Sequence, residues 1–439
     1  MKLFKKLGLG VASLAVVASL AACGSSNAED AGADEGGKTK VTFAWWGSES
    51  RHNNYIEAIE LFEANNPDVD IEYEFAAWDD YWKKLATKAA AGELPDVMQM
   101  DASYLGEYGN KNLLLGLNSA IEAGTISREN LPDSIIEAGS IAGESYAISP
   151  AMNAMSVMAN EQLMADAGAK LDWDNYSYAE YTQAMQQIKD KTDTYGFIDV
   201  VDNYVLMQYY FRTKGEEFYQ YNEDGKPEIA FTKESALEFF QSIYDLASTG
   251  AISTSEVASN TKSFNENPFA LGQAGFYQTW QNQFTLVTDA LAEGVEATLH
   301  LPYDAANTKA LYYRPSFYYS AAKTTKDADA AARFIDFLVN DEEVAKIMGT
   351  ERGIPSNTAN LDTIYDSLTD TEKVAADYLT EIEDLVGEAS PVPPIGFSSI
   401  SQAAKDVYAE LTYGTMTPEE AYEFLTKEMQ KTFDENYED

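Results

Sequence analysis

Apolar and polar positions along the chain regroup into a run of strands and helices. Val41–Trp46 is a strand-like apolar run that stops at Gly47-Ser48. Tyr55, Ile56, Ile59, Leu61 and Phe62 then recur at helical spacing across 54–65, and Asn66-Pro67-Asp68 breaks the pattern. Residues 69–75 alternate Val, Ile, Tyr and Phe with acids, as a half-buried strand does. A second helix is predicted over 79–91, ending at Gly92, and a short buried strand over 95–100. Strand and helix in alternation predict an open, mainly parallel α/β sheet. Ligands of such sheets sit beyond the carboxyl ends of the strands. Here those ends are Trp45-Trp46-Gly47-Ser48, Trp78, and Asp101-Ala102-Ser103-Tyr104.

The middle of the chain predicts a strand over 143–149 leading to Asn153, an extended run over 156–160, and helices ending at Gly168 and spanning 178–189. Asp224-Gly225 marks a hairpin within 218–231. A helix over 231–248, strands over 272–280 and 311–321, and a helix over 327–338 follow. From Thr371 the pattern is mostly helical, interrupted at Pro391-Val392-Pro393-Pro394. No fixed period repeats, which argues against solenoids and propellers.

Charge narrows the choice of partner. The 439 residues hold 72 Asp and Glu against 30 Lys and Arg, a formal charge of −42. Binding to nucleic acid rests on neutralising phosphates, so no nucleic-acid partner is expected. A basic patch on anionic lipid is excluded on the same ground. With one Cys and two His, His52 and His300, the usual Cys/His zinc spacings are absent. No metal site, catalytic triad or cofactor is expected. Enzymes working with paired carboxylates stay open, but among 72 acids such pairs arise by chance.

The N-terminus reads as an address. Lys2, Lys5 and Lys6 precede an apolar run over 7–22 that is short for a membrane span and suits a signal peptide. Its end, Leu20-Ala21-Ala22-Cys23-Gly24, resembles the bacterial lipobox, in which the Cys thiol is acylated and the chain is cut just before it. Residues 1–22 are therefore expected to be a leader, and Cys23 a lipid anchor. Losing the leader leaves 27 basic residues against 72 acidic ones, a charge of −45. Residues 24–40 contain no Ile, Leu, Val or aromatic residue and read as a tether about 20–25 Å across. The expected location is the extracellular face of the cell membrane.

Four segments in order carry a family resemblance. They are Trp45-Trp46-Gly47 through His52 with the helix break at Pro67; Gly92–Asp101; Phe269–Gly275 leading to Trp280; and Arg314-Pro315-Ser316 through Gly349–Pro355. Behind a lipobox, this order resembles the extracellular solute-binding proteins, family 1, of bacterial ABC sugar importers. The resemblance implies a two-lobe α/β fold of the periplasmic-binding-protein type II, with central mixed sheets and a ligand cleft closed by hinge bending. It places lobe 1 at 41–149 plus 311–350, and lobe 2 at 150–310 plus 351–439. It implies a monomer that is not an enzyme and takes a carbohydrate, expected to be an oligosaccharide. Delivery would be to permease transmembrane subunits driven by a cytoplasmic ATPase. The rivals are a cell-surface glycosidase and a same-fold binder of a non-sugar solute.

A sugar offers hydroxyls to polar groups and C–H faces to aromatic rings. Trp46, Trp78 and Trp280 stand at strand ends as stacking platforms. Trp45 and Trp46 point to opposite faces, and the family pattern favours Trp46, with Ser48 and Glu49 beside it. Trp280 resembles the family's cleft aromatic, and Asp101 matches a cleft position where a carboxylate accepts sugar hydroxyls. Tyr104 and Asn153 join the candidate ligand-binding set. So do Arg51, Arg314 and Arg352, which stand out in so acidic a chain. If two of the three arginines face the cleft, a ligand carboxylate is expected, as in a uronic-acid oligosaccharide. If none does, a neutral oligosaccharide is expected.

Overall fold

The strand Thr39–Trp46 lies at the centre of a four-stranded sheet. It pairs in parallel with Val69–Ala76 along its whole length and with Val97–Met100 through Phe43↔Val97 and Ala44↔Met98. Tyr318–Ala321 runs antiparallel on the outer side of Val97–Met100. Val41, Phe43, Ala44, Trp45 and Trp46 are all buried, because helices cover both faces of this sheet. Helix Glu49–Asn65 buries His52, Tyr55, Ala58, Ile59 and Phe62, one stripe at spacings of three and four. Helix Trp78–Ala91 buries Tyr81, Trp82 and Leu85 and stops at Gly92, whose φ of 72° forms a left-handed cap. The structure is a computed structural model describing residues 38–198, 203–261 and 263–437. The leader, Cys23 and the tether as far as residue 37 lie outside the described residues. The first strand takes in Thr39 and Lys40, which the sequence pattern had assigned to the tether.

A second four-stranded sheet has the order Thr298–His300, Met155–Ala159, Ala274–Trp280, Tyr195–Phe197. Its central pair is antiparallel, with Phe276 opposite Ala159 and Trp280 opposite Met155. Two large hydrophobic cores follow the two sheets. The C-terminal helices Phe397–Tyr413 and Pro418–Tyr437 pack on the second.

Between the cores lies a small antiparallel sheet in which Ala151–Asn153 is flanked by Arg314–Pro315 and Ile354–Pro355. Each of these strands carries the chain from one core to the other, so three crossings are gathered at one place. Leu311 and Tyr313 pack into the second core, ahead of the Arg314 crossing, although they stand in the segment assigned to lobe 1. Val392 reaches the other way, into the first core.

Two expected strands are shorter than their patterns. Within 143–149 only Glu144–Ser145 pairs, in a tight hairpin with Ser140–Ile141, and Ile148 makes a single bridge to Tyr319. The run 311–321 divides in two, because Arg314–Pro315 pairs in the crossing sheet and Tyr318–Ala321 in the first sheet. Trp78 is the first residue of a helix and not a strand end. Helix Asn203–Thr213 has no amphipathic signal, since nearly every side chain from Val205 to Arg212 is buried.

Candidate functional site

The crossings open onto a cavity of about 510 Å³. From the first core come Trp46, Arg51, Trp78 and Asp101. The crossing strands and the loop before the third contribute Asn153, Arg314, Ser316, Phe317, Glu351 and Arg352. The second core adds Trp280, Asn282, Gln283 and Glu372. The cavity thus lies beyond the carboxyl ends of Thr39–Trp46 and Val97–Met100, as parallel α/β sheets arrange their ligand sites.

Trp46 ends its strand on the cavity side, while Trp45, one residue earlier, is fully buried and donates from Nε1 to His52 Nδ1 at 3.1 Å. The Trp46 amide donates to Gln99 Oε1 at 3.2 Å. Its ring meets Trp78 edge-on at 5.0 Å and Tyr81 and Trp82 at 5.3 and 5.7 Å. Trp78 is 41% exposed, so this cluster shows an open aromatic face to the cavity. Across from it, Trp280 is half-buried, with Tyr312 edge-on at 6.3 Å.

The three arginines differ in setting. Arg51 Nε lies 3.3 Å from Glu351 Oε1, and Glu351 also accepts from Ser50 Oγ and Asn54 Nδ2, each at 3.1 Å. Arg314 lies over the Trp280 ring, 4.6 Å from its centre. Arg352 rests on Phe317 at 3.9 Å and beside Trp46 at 5.2 Å, a cation–π arrangement. Its Nε is buried without a partner. Burial pushes the Arg352 guanidinium below its ordinary value, and the neighbouring Arg51 pushes the same way.

The acids at the site are committed to the fold. Asp101 caps helix Ala102–Asn110, its Oδ1 accepting from the Ser103 amide at 2.9 Å and hydroxyl at 2.6 Å. Burial alone would raise the Glu372 carboxyl. Bonds from the Thr350 and Thr369 hydroxyls and the Thr369 amide outweigh it and hold the group below its ordinary value. Two amide oxygens, Asn153 Oδ1 and Asn282 Oδ1, are buried and receive no hydrogen bond. Buried acceptors are normally satisfied, and both of these belong to residues that line the cavity.

Eight of the eleven residues proposed from sequence line this one cavity: Trp46, Arg51, Trp78, Asp101, Asn153, Trp280, Arg314 and Arg352. Three do not. The chain turns at Gly47 into a helix, leaving Ser48 and Glu49 on the exposed first turn, with Ser48 Oγ 2.9 Å from Ser50 Oγ. Tyr104 stacks flat on Trp82 at 3.6 Å and supports the aromatic cluster from behind. Sequence reasoning missed Asn282, Gln283, Phe317, Glu351 and Glu372. The run Gln281-Asn282-Gln283 directly after Trp280 was the one available signal for the amides.

A second cavity, also about 510 Å³, shares Trp280 and Gln283 but is lined mainly by apolar and small side chains such as Met155, Val257 and Phe264. The charged and planar groups belong to the cavity at the crossings, and we place the site there. Among the described residues no group of three or more His, Cys, Asp or Glu is arranged to hold a metal ion. No helix among them is long and apolar enough to cross a membrane.

Two mixed α/β halves, a three-strand crossing and a cavity at the crossing define a binding protein for a small solute. The chain belongs to the bacterial extracellular solute-binding protein family, whose model matches residues 57–377. A binding protein of Brucella abortus (strain 2308) is 22% identical over 403 residues, 87% of this chain and 88% of its own. An extracellular solute-binding protein, family 1, from Alicyclobacillus acidocaldarius superposes with a TM-score of 0.74 at 25% identity, covering 91% of this chain and 100% of that one. A periplasmic oligogalacturonide-binding protein from Yersinia enterocolitica superposes with a TM-score of 0.78 at 22% identity, over 91% and 100%.

Proposed function

We propose that this chain is the solute-capturing component of an ABC importer and that its cleft takes an oligosaccharide. The observation that carries the reading is the pairing, in one cavity, of the exposed Trp78 ring and the half-buried Trp280 ring with two amide oxygens that lack donors. The rings of Trp78 and Trp280 suit the C–H faces of a pyranose, with Trp46 buried behind Trp78, and Asn153 and Asn282 suit its hydroxyls. The two cores act as lobes that close over the ligand by bending at the crossing sheet. The chain then docks, as a monomer, on permease subunits driven by a cytoplasmic ATPase.

No catalysis is proposed. A glycosidase needs two carboxyls free to face the scissile bond, and of the lining acids Glu351 and Glu372 are each held by several partners. Thermal-shift screening against neutral and acidic oligosaccharides, with product analysis alongside, tests the reading. Ligand at a hundred times Kd adds about 2.7 kcal/mol of stability, a plain rise in Tm. Cleavage of any sugar that raises Tm would overturn the transport reading. The lipid anchor is tested separately: Cys23→Ala should move the protein from the membrane fraction to the medium. Membrane retention of that variant without incorporated lipid would refute the anchor alone.

A further inference from the structure

We infer that the cleft reads a carboxylate: its ligand is a uronic-acid-containing oligosaccharide, with Arg352 as the anion receptor. The inference rests on the carbohydrate reading above and names the class of sugar.

The chain has six arginines, and three of them line this one cavity. The other three are bound to acids: Arg128 to Asp133, Arg212 to Glu217, and Arg333 to Asp68 and Asp329. Within the cavity Arg51 is bound to Glu351. Arg352 makes no ion pair or hydrogen bond among the described residues, in a chain with 72 acids to offer. Each carboxylate lining the cavity has a partner other than Arg352. Asp101 holds the Ser103 amide and hydroxyl. Glu351 holds Ser50, Arg51 and Asn54, and Glu372 holds Thr350 and Thr369.

What does hold Arg352 is a pair of aromatic faces. Phe317 and Trp46 lie against the guanidinium at 3.9 and 5.2 Å, and among the described residues no acceptor takes its N–H donors. A planar donor fork kept rigid and unsatisfied matches the two oxygens of a carboxylate, which it meets with two parallel bonds. A partly desolvated cation without a counterion is costly, and an incoming carboxylate relieves that cost. The loop carrying Arg352 is braced from both sides. Glu351 ties it to the first-core helix Glu49–Asn65, and Thr350 ties it to Glu372 on the second-core helix Asp370–Glu381. Gly353, at φ 109°, lets the loop turn into the third crossing strand, where a Cβ would stand 2.5 Å from Ser316 Oγ. A carboxylate on Arg352 is therefore held beside the crossing itself.

The test is calorimetric titration of the full-length chain with three acids: trigalacturonic acid, trimannuronic acid and a glucuronate disaccharide. Each is run beside its methyl ester. We expect at least one acid to bind tenfold or more tightly than its ester. Arg352→Gln should weaken the acid tenfold or more and bring it to the affinity of its ester in the same variant, and Arg352→Lys should restore part of the difference. A melting curve of each variant confirms folding, and the wild-type comparison of acid with ester stands even if a variant misfolds. Equal affinity for acid and ester overturns the inference and leaves the carbohydrate reading intact. So does binding of neutral oligosaccharides only. Failure of every sugar, acidic or neutral, overturns both.

Discussion

The two walls of the cleft use the same residue type in opposite settings. On the first wall Trp46 is 7% exposed, wedged among Trp78, Tyr81, Trp82 and Phe317, and it supports the Arg352 guanidinium. On the second, Trp280 is half-buried at the end of an antiparallel strand, touched edge-on by Tyr312 and covered by Arg314. The first wall is part of the hydrophobic core and offers the ligand a surface the fold requires anyway. The second offers a half-buried ring packed on the margin of its core, followed by a run of amides. A substitution on the first wall therefore tests folding and binding together, and one on the second tests binding almost alone.

The largest expected effect belongs to Trp46→Ala. Deleting a buried Trp or Phe side chain costs about 3–5 kcal/mol, and the cavity left here would also undercut Trp78 and Arg352. Urea unfolding should show that loss together with loss of ligand binding. Trp280→Ala should shift stability by less than half as much, while weakening the ligand about fivefold. That is the size expected when one ring contact of about 1 kcal/mol is lost. Equal losses of stability in the two variants would mean that the walls do not differ as described.

The same contrast governs what the sequence reveals. The first sheet is legible because its strands are apolar runs closed by breakers, Gly47-Ser48 and Asn66-Pro67-Asp68, and parallel sheets place ligands at strand ends. Strand alternation separates Trp46 from Trp45 without any structure. It does not reveal where the chain leaves the sheet, so the pattern extends Ser48 and Glu49 past the strand end where a helix already carries them away. Tyr104 misleads for a related reason. It follows Asp101 by three residues, and the intervening helix turn swings its ring onto Trp82. The second wall is less legible. Asn282 and Glu372 are 90 residues apart and meet only through packing of the second core, which no local pattern encodes. Helix Asn203–Thr213 escapes for the complementary reason, being buried on every side, its Gln208 and Arg212 included.

The smallest effect tests whether the first wall also binds through a polar group. Asp101 uses Oδ1 to cap helix Ala102–Asn110, and no partner for its Oδ2 occurs among the described residues. Asp101→Ala removes the cap, which costs about 1 kcal/mol, and also removes any bond from Oδ2 to the ligand. Asp101→Asn keeps the capping oxygen, because Asn caps as well as Asp, but it turns the second oxygen into an amide donor. Stability should therefore separate Ala from both Asp and Asn. Affinity should separate Asp from both variants, by severalfold, if two ligand hydroxyls donate to the carboxylate. Should Asn bind as tightly as Asp, the residue serves the helix alone, and ligand recognition on this wall reduces to the aromatic faces and Arg352.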